Sequence, residues 1–160
     1  RGLHSALPSI RPPAEAAGRM KIHVKEVPEE GLSQHATYDP KPLDMEREDI
    51  RLTEPFVVEA FITRTEQELI VKADIRCPLL MTCARCLEDF SSQIDTDAIF
   101  HYTVQPVDTV DITDEVRQEI VLAYPMFPLC QTACKGLCST CGQNLNIGPC
   151  SHATAEHENR

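Results

Sequence analysis

The chain has 160 residues, a formal net charge of -10 and eight cysteines, a length that supports one main domain with a modest core and excludes two large ones. The acidity is concentrated after residue 86, where Arg117, Lys135 and Arg160 face eleven acidic side chains. Such a surface repels phosphate backbones instead of releasing their counterions, which disfavours non-specific nucleic-acid binding and favours a basic protein partner, with Lys72, Arg76 and Arg85 as a local positive strip to set against this.

Residues 1–19 carry three prolines and three arginines against a single acid, without apolar periodicity, and read as a disordered extension. The same balance fits an organelle transit peptide, on which an organellar instead of a cytoplasmic location would depend. Met20 to Lys25 alternates apolar and polar residues as a half-buried strand does, and stops before Pro28. Residues 29–53, with Pro40, Pro42 and scattered apolar positions, read mainly as loop with short strands. Phe56 to Thr63 and Glu68 to Ile75 then pair as an antiparallel hairpin. Leu79 to Thr82 leads a further strand into Cys83-Ala84-Arg85-Cys86, and Ile94 to Val104 leads out, so this knuckle sits at a hairpin end where rigid strands hold both sulfurs.

A helix is predicted near 113–124. Asp111 or Thr113 serves as N-cap, acids fill the first turn, Val116, Ile120, Ala123 and Tyr124 form the buried stripe, and Pro125 ends it. Pro125 and Pro128 lead stiffly into the remaining cysteines, and residues 153–160 form a polar tail. The expected fold is α+β: mostly antiparallel sheet or partly open barrel, one main helix and a C-terminal cysteine-rich zinc module. The divisions are 1–19 extension, 20–129 strand-rich domain, 130–152 zinc-binding module and 153–160 tail. No apolar run approaches the length needed to cross a bilayer and none resembles a secretory signal, so no membrane role and a reducing compartment are expected.

Seven cysteines and one histidine stand at metal-ligand spacing: Cys83, Cys86, Cys130, Cys134, Cys138, Cys141, Cys150 and His152. Two-residue gaps let both thiolates of a tight turn reach one ion about 2.3 Å away, and eight donors fill two tetrahedral zinc sites with none left over. Gly142 after Cys141 suits a close approach at the knuckle. Cys77 has no partner at short spacing and reads as a small core hydrophobe. Spacing allows two groupings. Cys138, Cys141, Cys150 and His152 can close a compact module, leaving Cys130 and Cys134 to complete Cys83 and Cys86; the rival pairs the 83/86 and 138/141 knuckles as a zinc ribbon. Loop-closure entropy favours the first.

Met20-Lys-Ile, Cys83-Ala-Arg-Cys86-Leu-Glu, the acidic helix ending in Tyr124-Pro125, and Cys134-Lys-Gly-Leu-Cys138-Ser-Thr-Cys141-Gly-Gln-Asn-Leu-Asn146 followed by Cys150 together resemble the YceD family, the large ribosomal RNA subunit accumulation proteins. The resemblance covers about Met20 to His152. It implies a bacterial or organellar role in large-subunit rRNA accumulation and ribosome assembly, and it favours Cys83, Cys86, Cys130 and Cys134 as one unit. Members with the longer tail usually end Cys-x-Cys, whereas His152 stands last here.

Three function classes follow. A non-enzymatic assembly factor would bind a basic ribosomal protein, or an rRNA–protein intermediate in a large-subunit precursor, with zinc holding the shape. A direct rRNA-binding zinc ribbon would use Arg85 and Lys135 on phosphate, against the net charge. A zinc-dependent RNA-processing hydrolase would need an open coordination position and a base such as Glu88 or Asp89, whereas eight donors close both sites, so no catalytic residue is assigned. His101 reads as surface, and the oligomeric state has no signal in the sequence.

Overall fold

A computed structural model describes residues 18–152. Apart from Gly18 and Arg19, the expected N-terminal extension, and with it the transit-peptide reading, lies outside the described residues, as does the expected tail at 153–160. The strands in chain order are β1 (Lys21–His23), β2 (Leu32–Tyr38), β3 (Ile50–Arg51), β4 (Phe56–Arg64), β5 (Glu68–Thr82), β6 (Asp89–Thr103) and β7 (Thr109–Asp111), followed by helix α1 (Thr113–Leu122). All pairings are antiparallel. The main sheet runs β2-β4-β5-β6, with short β3 taking the edge of β5 beyond the end of β4, while β1 and β7 form a separate two-stranded ribbon. The sheet is open, not a closed barrel, among the described residues.

The predicted hairpin is β4–β5, in register from Val57↔Arg76 to Arg64↔Leu69. β5 is longer than expected, because Leu79 to Thr82 continues it through Pro78 instead of forming a separate strand. On the side shared by β4 and β3, pairing stops at Arg76 and resumes at Leu80, so Pro78 stands in a gap of that ladder, a position a strand proline tolerates. Every second β5 side chain from Leu69 to Met81 is buried, including Cys77, which is fully enclosed as expected of a core hydrophobe. β6 likewise begins five residues before the predicted Ile94.

The region 29–53 departs most from expectation, since it contains the seven-residue strand β2. Its inward positions are Leu32, Gln34, Ala36 and Tyr38, too mixed in polarity to give a period-two signal, and it forms an edge that needs little burial. Tyr38 anchors it. Fully buried, its ring stacks on its register partner Phe56 with centroids 5.2 Å apart, and its hydroxyl accepts a hydrogen bond from the Met20 amide at 3.0 Å.

One face of α1 packs on β5 and β6 through Val116 and Ile120, both fully buried. Ile112 occupies the N-cap position without a side-chain cap, while the Asp111 carboxylate accepts bonds from the Thr113 amide and hydroxyl. Ala123, expected on the buried stripe, is exposed because it caps the helix end instead of continuing it. Arg117 donates to the carbonyls of Leu43 and Asp44, and the Tyr124 hydroxyl donates to that of Met45, so the helix also pins the irregular segment after β2.

Tyr38→Phe should cost about 1–2 kcal/mol by stranding the buried Met20 amide, and Tyr38→Ala about 3–5 kcal/mol through the added cavity; urea unfolding followed by circular dichroism measures both.

Candidate metal centres

The fold gathers the eight predicted donors into two sets of four: Cys83, Cys86, Cys130 and Cys134, and Cys138, Cys141, Cys150 and His152. Within each set the donor atoms all lie within 4.8 Å of one another. In the first, Cys83 Sγ and Cys134 Sγ are 3.8 Å apart, and Cys86 Sγ and Cys130 Sγ 3.7 Å. A disulfide would require about 2.05 Å. A regular tetrahedron around an ion with metal–sulfur bonds of about 2.3 Å has edges of about 3.8 Å, so the spacing fits a shared ion. All eight cysteines are free thiols. The ribbon grouping of the 83/86 and 138/141 knuckles is not the one adopted.

The two knuckles share one backbone design. In the first, the Leu87 amide donates to the Cys83 carbonyl and the Cys83 amide to the Glu88 carbonyl, both at 2.9 Å; in the second, Gly142 donates to Cys138 and Cys138 to Gln143, also at 2.9 Å. The residue after the second cysteine must then be left-handed: φ is 58° at Leu87 and 73° at Gly142. Gly142 is therefore needed for its φ, not for the expected close approach, since a Cβ there would meet nothing within 4 Å. Close approach occurs at Gly136, with φ of 73°, where a Cβ would come 3.0 Å from the Arg85 carbonyl oxygen.

Several bonds hold the segment after the helix against the first knuckle. The Ala84 amide donates to the Pro128 carbonyl at 2.8 Å, Arg85 Nη1 to the Cys134 carbonyl at 3.0 Å, and the Leu137 amide to the Arg85 carbonyl at 3.1 Å. Arg85, which the sequence suggested for charge or phosphate contact, thus serves as a bracket between the clusters. Asn146 is a second bracket that spacing does not reveal. Carried on the loop between Cys141 and Cys150, its carboxamide donates to Cys134 Sγ at 3.2 Å and accepts from the Lys135 amide at 2.8 Å. Such an outer partner orients a ligand and favours its thiolate. A carboxamide in a loop resembles any other in sequence, which is why its role needed the fold.

Burial separates the sets. Cys83, Cys86 and Cys134 are at most 4% exposed, Cys130 is half-buried, and Phe90, Leu129 and Leu137 pack against them. In the second set Cys138 and Cys150 are buried, whereas Cys141 and His152 are exposed. Burial is the largest single influence on Cys83 and pushes its pKa up, but the amides of Cys130, Cys86 and Arg85 outweigh it and bring the thiol down to about 6. The amides of Cys141 and Thr140, with the Cys150 thiol, bring Cys138 down to about 6 as well. Burial and then the neighbouring thiols push Cys130 up to about 12, and burial alone does the same to Cys77. In each cluster some thiols thus take a negative charge readily while others resist it, and a cation joining the cluster favours the thiolates of both kinds. Of the two acids weighed as bases, Asp89 accepts from the Thr82 hydroxyl at 2.7 Å and pairs with Arg51 at 2.6 Å, contacts that hold its carboxyl below the usual range. The Glu88 carbonyl closes the knuckle, and His101 is exposed as expected.

Fold and site together define a class: a small antiparallel-sheet protein whose hairpin end and C-terminal loops close on two cysteine-rich, four-donor sets able to hold metal ions. Residues 101–160 match the family model described as large ribosomal RNA subunit accumulation protein YceD. The large ribosomal RNA subunit accumulation protein YCED homolog 1, chloroplastic, of Zea mays is 38% identical over 61 residues, covering 38% of this chain and 20% of the relative. The Arabidopsis thaliana protein of the same name is 33% identical over 67 residues, 42% of this chain and 21% of the relative. An uncharacterized protein of Mycobacterium leprae is 22% identical over 111 residues, 59% of this chain and 51% of the relative. The chain thus spans about half the length of the mycobacterial relative and about a fifth of the plant ones. No solved structure gives a significant match. The family model falls on the C-terminal part of the chain, which holds α1 and six of the eight donors.

Leu87 is 64% exposed and gains little from packing, so Leu87→Gly should stabilise the protein by about 0.5–1 kcal/mol, the left-handed penalty removed less the entropy glycine loses on folding. Thermal unfolding of wild type and variant checks this. In metal-depleted protein, alkylation between pH 6 and 8 should speed up only about twofold at Cys138, already near half thiolate at the lower pH, but about tenfold per pH unit at Cys130; mass spectrometry of labelled peptides reads both.

Proposed function

We propose that this chain is a non-enzymatic factor for accumulation of large-subunit ribosomal RNA, and that it acts in ribosome assembly by binding a basic ribosomal protein or an rRNA–protein intermediate. Two zinc ions hold the binding surface in shape. The observation that carries the reading is the pair of four-donor sets in a chain whose C-terminal part matches the YceD model: seven thiols and an imidazole suit zinc, and four protein donors per ion leave no position for water or substrate. The net charge of -10 favours a cationic protein as the direct partner over bare phosphate. The names of the plant relatives supply the biological process, and their chloroplastic label is compatible with an organellar setting. Among the described residues no helix is long and apolar enough to cross a membrane.

The Cys83, Cys86, Cys130 and Cys134 site joins thiols 44 and 51 residues apart in sequence, so its loss should loosen the whole hairpin end, whereas the second site closes within its own loop. Purified protein should carry two zinc ions, measured by elemental analysis; a reproducible value of one would remove the second site. A graded chelator titration should strip the exposed second site first. Cys134→Ser should lower the unfolding midpoint clearly, while Cys141→Ser leaves sheet unfolding nearly unchanged. Affinity purification from cells at two salt concentrations should recover a basic ribosomal protein or a large-subunit precursor, with recovery falling at high salt; recovery of acidic partners alone, or of none, refutes the proposed function.

A further inference from the structure

β6 is fifteen residues long, and all fifteen pair with β5 along one edge. Its other edge makes no backbone hydrogen bond to any element among the described residues. At about 3.4 Å per residue this is roughly 50 Å of strand with unpaired amides and carbonyls on its free side. Sheet proteins ordinarily blunt such an edge with lysine, proline, a bulge or a short strand. Asp89 to Thr103 contains no lysine, arginine, proline or glycine, and the β5–β6 register runs without a bulge.

The outward side chains next to this edge give it a sign. Asp95 and Asp97 are exposed, and no basic side chain other than His101 accompanies them on the strand. Across the sheet, Asp97 stands opposite Asp74, and Asp74 opposite Glu59, so three carboxylates form one cross-strand row. Like charges directly opposite one another destabilise a sheet. Arg76 reaches Glu59 at 3.4 Å and is the register partner of Asp95, but Asp97 makes no ion pair among the described residues. Exposed Ile99 follows on the same face, 56% accessible.

From this we infer that the free edge of β6 receives an extended, lysine- or arginine-rich segment of a protein partner by strand addition, an inference that rests on the proposed function and locates its binding surface. An added strand would satisfy the open backbone groups and continue the Glu59–Asp74–Asp97 row with a cation, relieving its repulsion. Backbone pairing would supply affinity, and the acids would select sign. The same charge opposes other occupants. A second copy pairing β6 to β6 antiparallel about Thr96 would set Asp95 against Asp97. The chain's own first residues include Pro8, Pro12 and Pro13, poor donors to a ladder.

The test uses the full-length, zinc-loaded protein and a synthetic peptide of about twelve residues alternating lysine and valine, with a glutamate–valine peptide as control. Hydrogen–deuterium exchange should show the lysine peptide protecting alternate β6 amides, those not already paired to β5, while the glutamate peptide protects none. Asp95→Lys/Asp97→Lys, at exposed positions that leave the core intact, should weaken lysine-peptide binding about tenfold or more, and Asp95→Asn/Asp97→Asn by less. Protection confined to another surface, or equal binding by both peptides, would overturn the inference. So would dimerisation through β6 without peptide, seen as β6 protection that rises with protein concentration. If cellular purification recovers a basic ribosomal protein equally well with the charge-reversed variant, the edge is wrong and the proposed function stands; if wild type recovers none, the proposed function fails first.

Discussion

The β5–β6 hairpin sets the position of everything at the C-terminal end of this protein. Its fifteen paired positions fix where the chain turns, and the turn is the first knuckle. A slip of one residue would move Leu69, Val71, Ala73, Ile75, Cys77, Leu79 and Met81 from the core to the outer face, so burial of that set fixes the register. Cys83 and Cys86 are then delivered, one behind the other, to the place where the chain after α1 comes back. The core and the donor geometry are in this sense consequences of one strand pairing.

The returning segment is held by polar contacts and by a small second apolar cluster, in which Leu129 and Leu137 pack with Phe90 against Cys83, Cys86 and Cys134. Pro125 ends the helix and its carbonyl accepts a hydrogen bond from Arg47, Pro128 meets the knuckle at Ala84, and Arg85 and Asn146 bracket Cys134 from two sides. Because Asn146 belongs to the loop that closes the second donor set, the arrangement of that set bears directly on a sulfur of the first. The clusters are therefore neighbours in structure, though each draws its four donors separately. Their unlike burial fits unlike duties: one buried among apolar side chains where it joins distant segments, the other half in solvent and closing only itself.

The sheet divides its work between two faces. The inner face, covered by α1 and the β1–β7 ribbon, carries the apolar alternation and all the tight packing. The outer face carries acids in unfavourable proximity and a few half-exposed apolar groups, Val57, Phe61 and Ile99. A fold that needed only stability would not keep Glu59, Asp74 and Asp97 in one row. That row stands beside the edge of β6 that is unpaired among the described residues.

The seven cysteines and His152 picked out at metal-ligand spacing are the residues that the fold gathers into two sets of four, and loop-closure entropy indicated that grouping. Strong alternation in Glu68 to Ile75 and the helical stripe around Val116 and Ile120 were equally legible, since burial on one face writes its period into the sequence. β2 was not, because an edge strand with Gln34 among its inward positions carries almost no period. The bracketing roles of Asn146, Gly136 and Arg85, the continuation of β5 through Pro78, and the acid row across three strands were decided only by tertiary structure. Each depends on which distant residue stands opposite, and that is a property of register and approach rather than of any local run of residues.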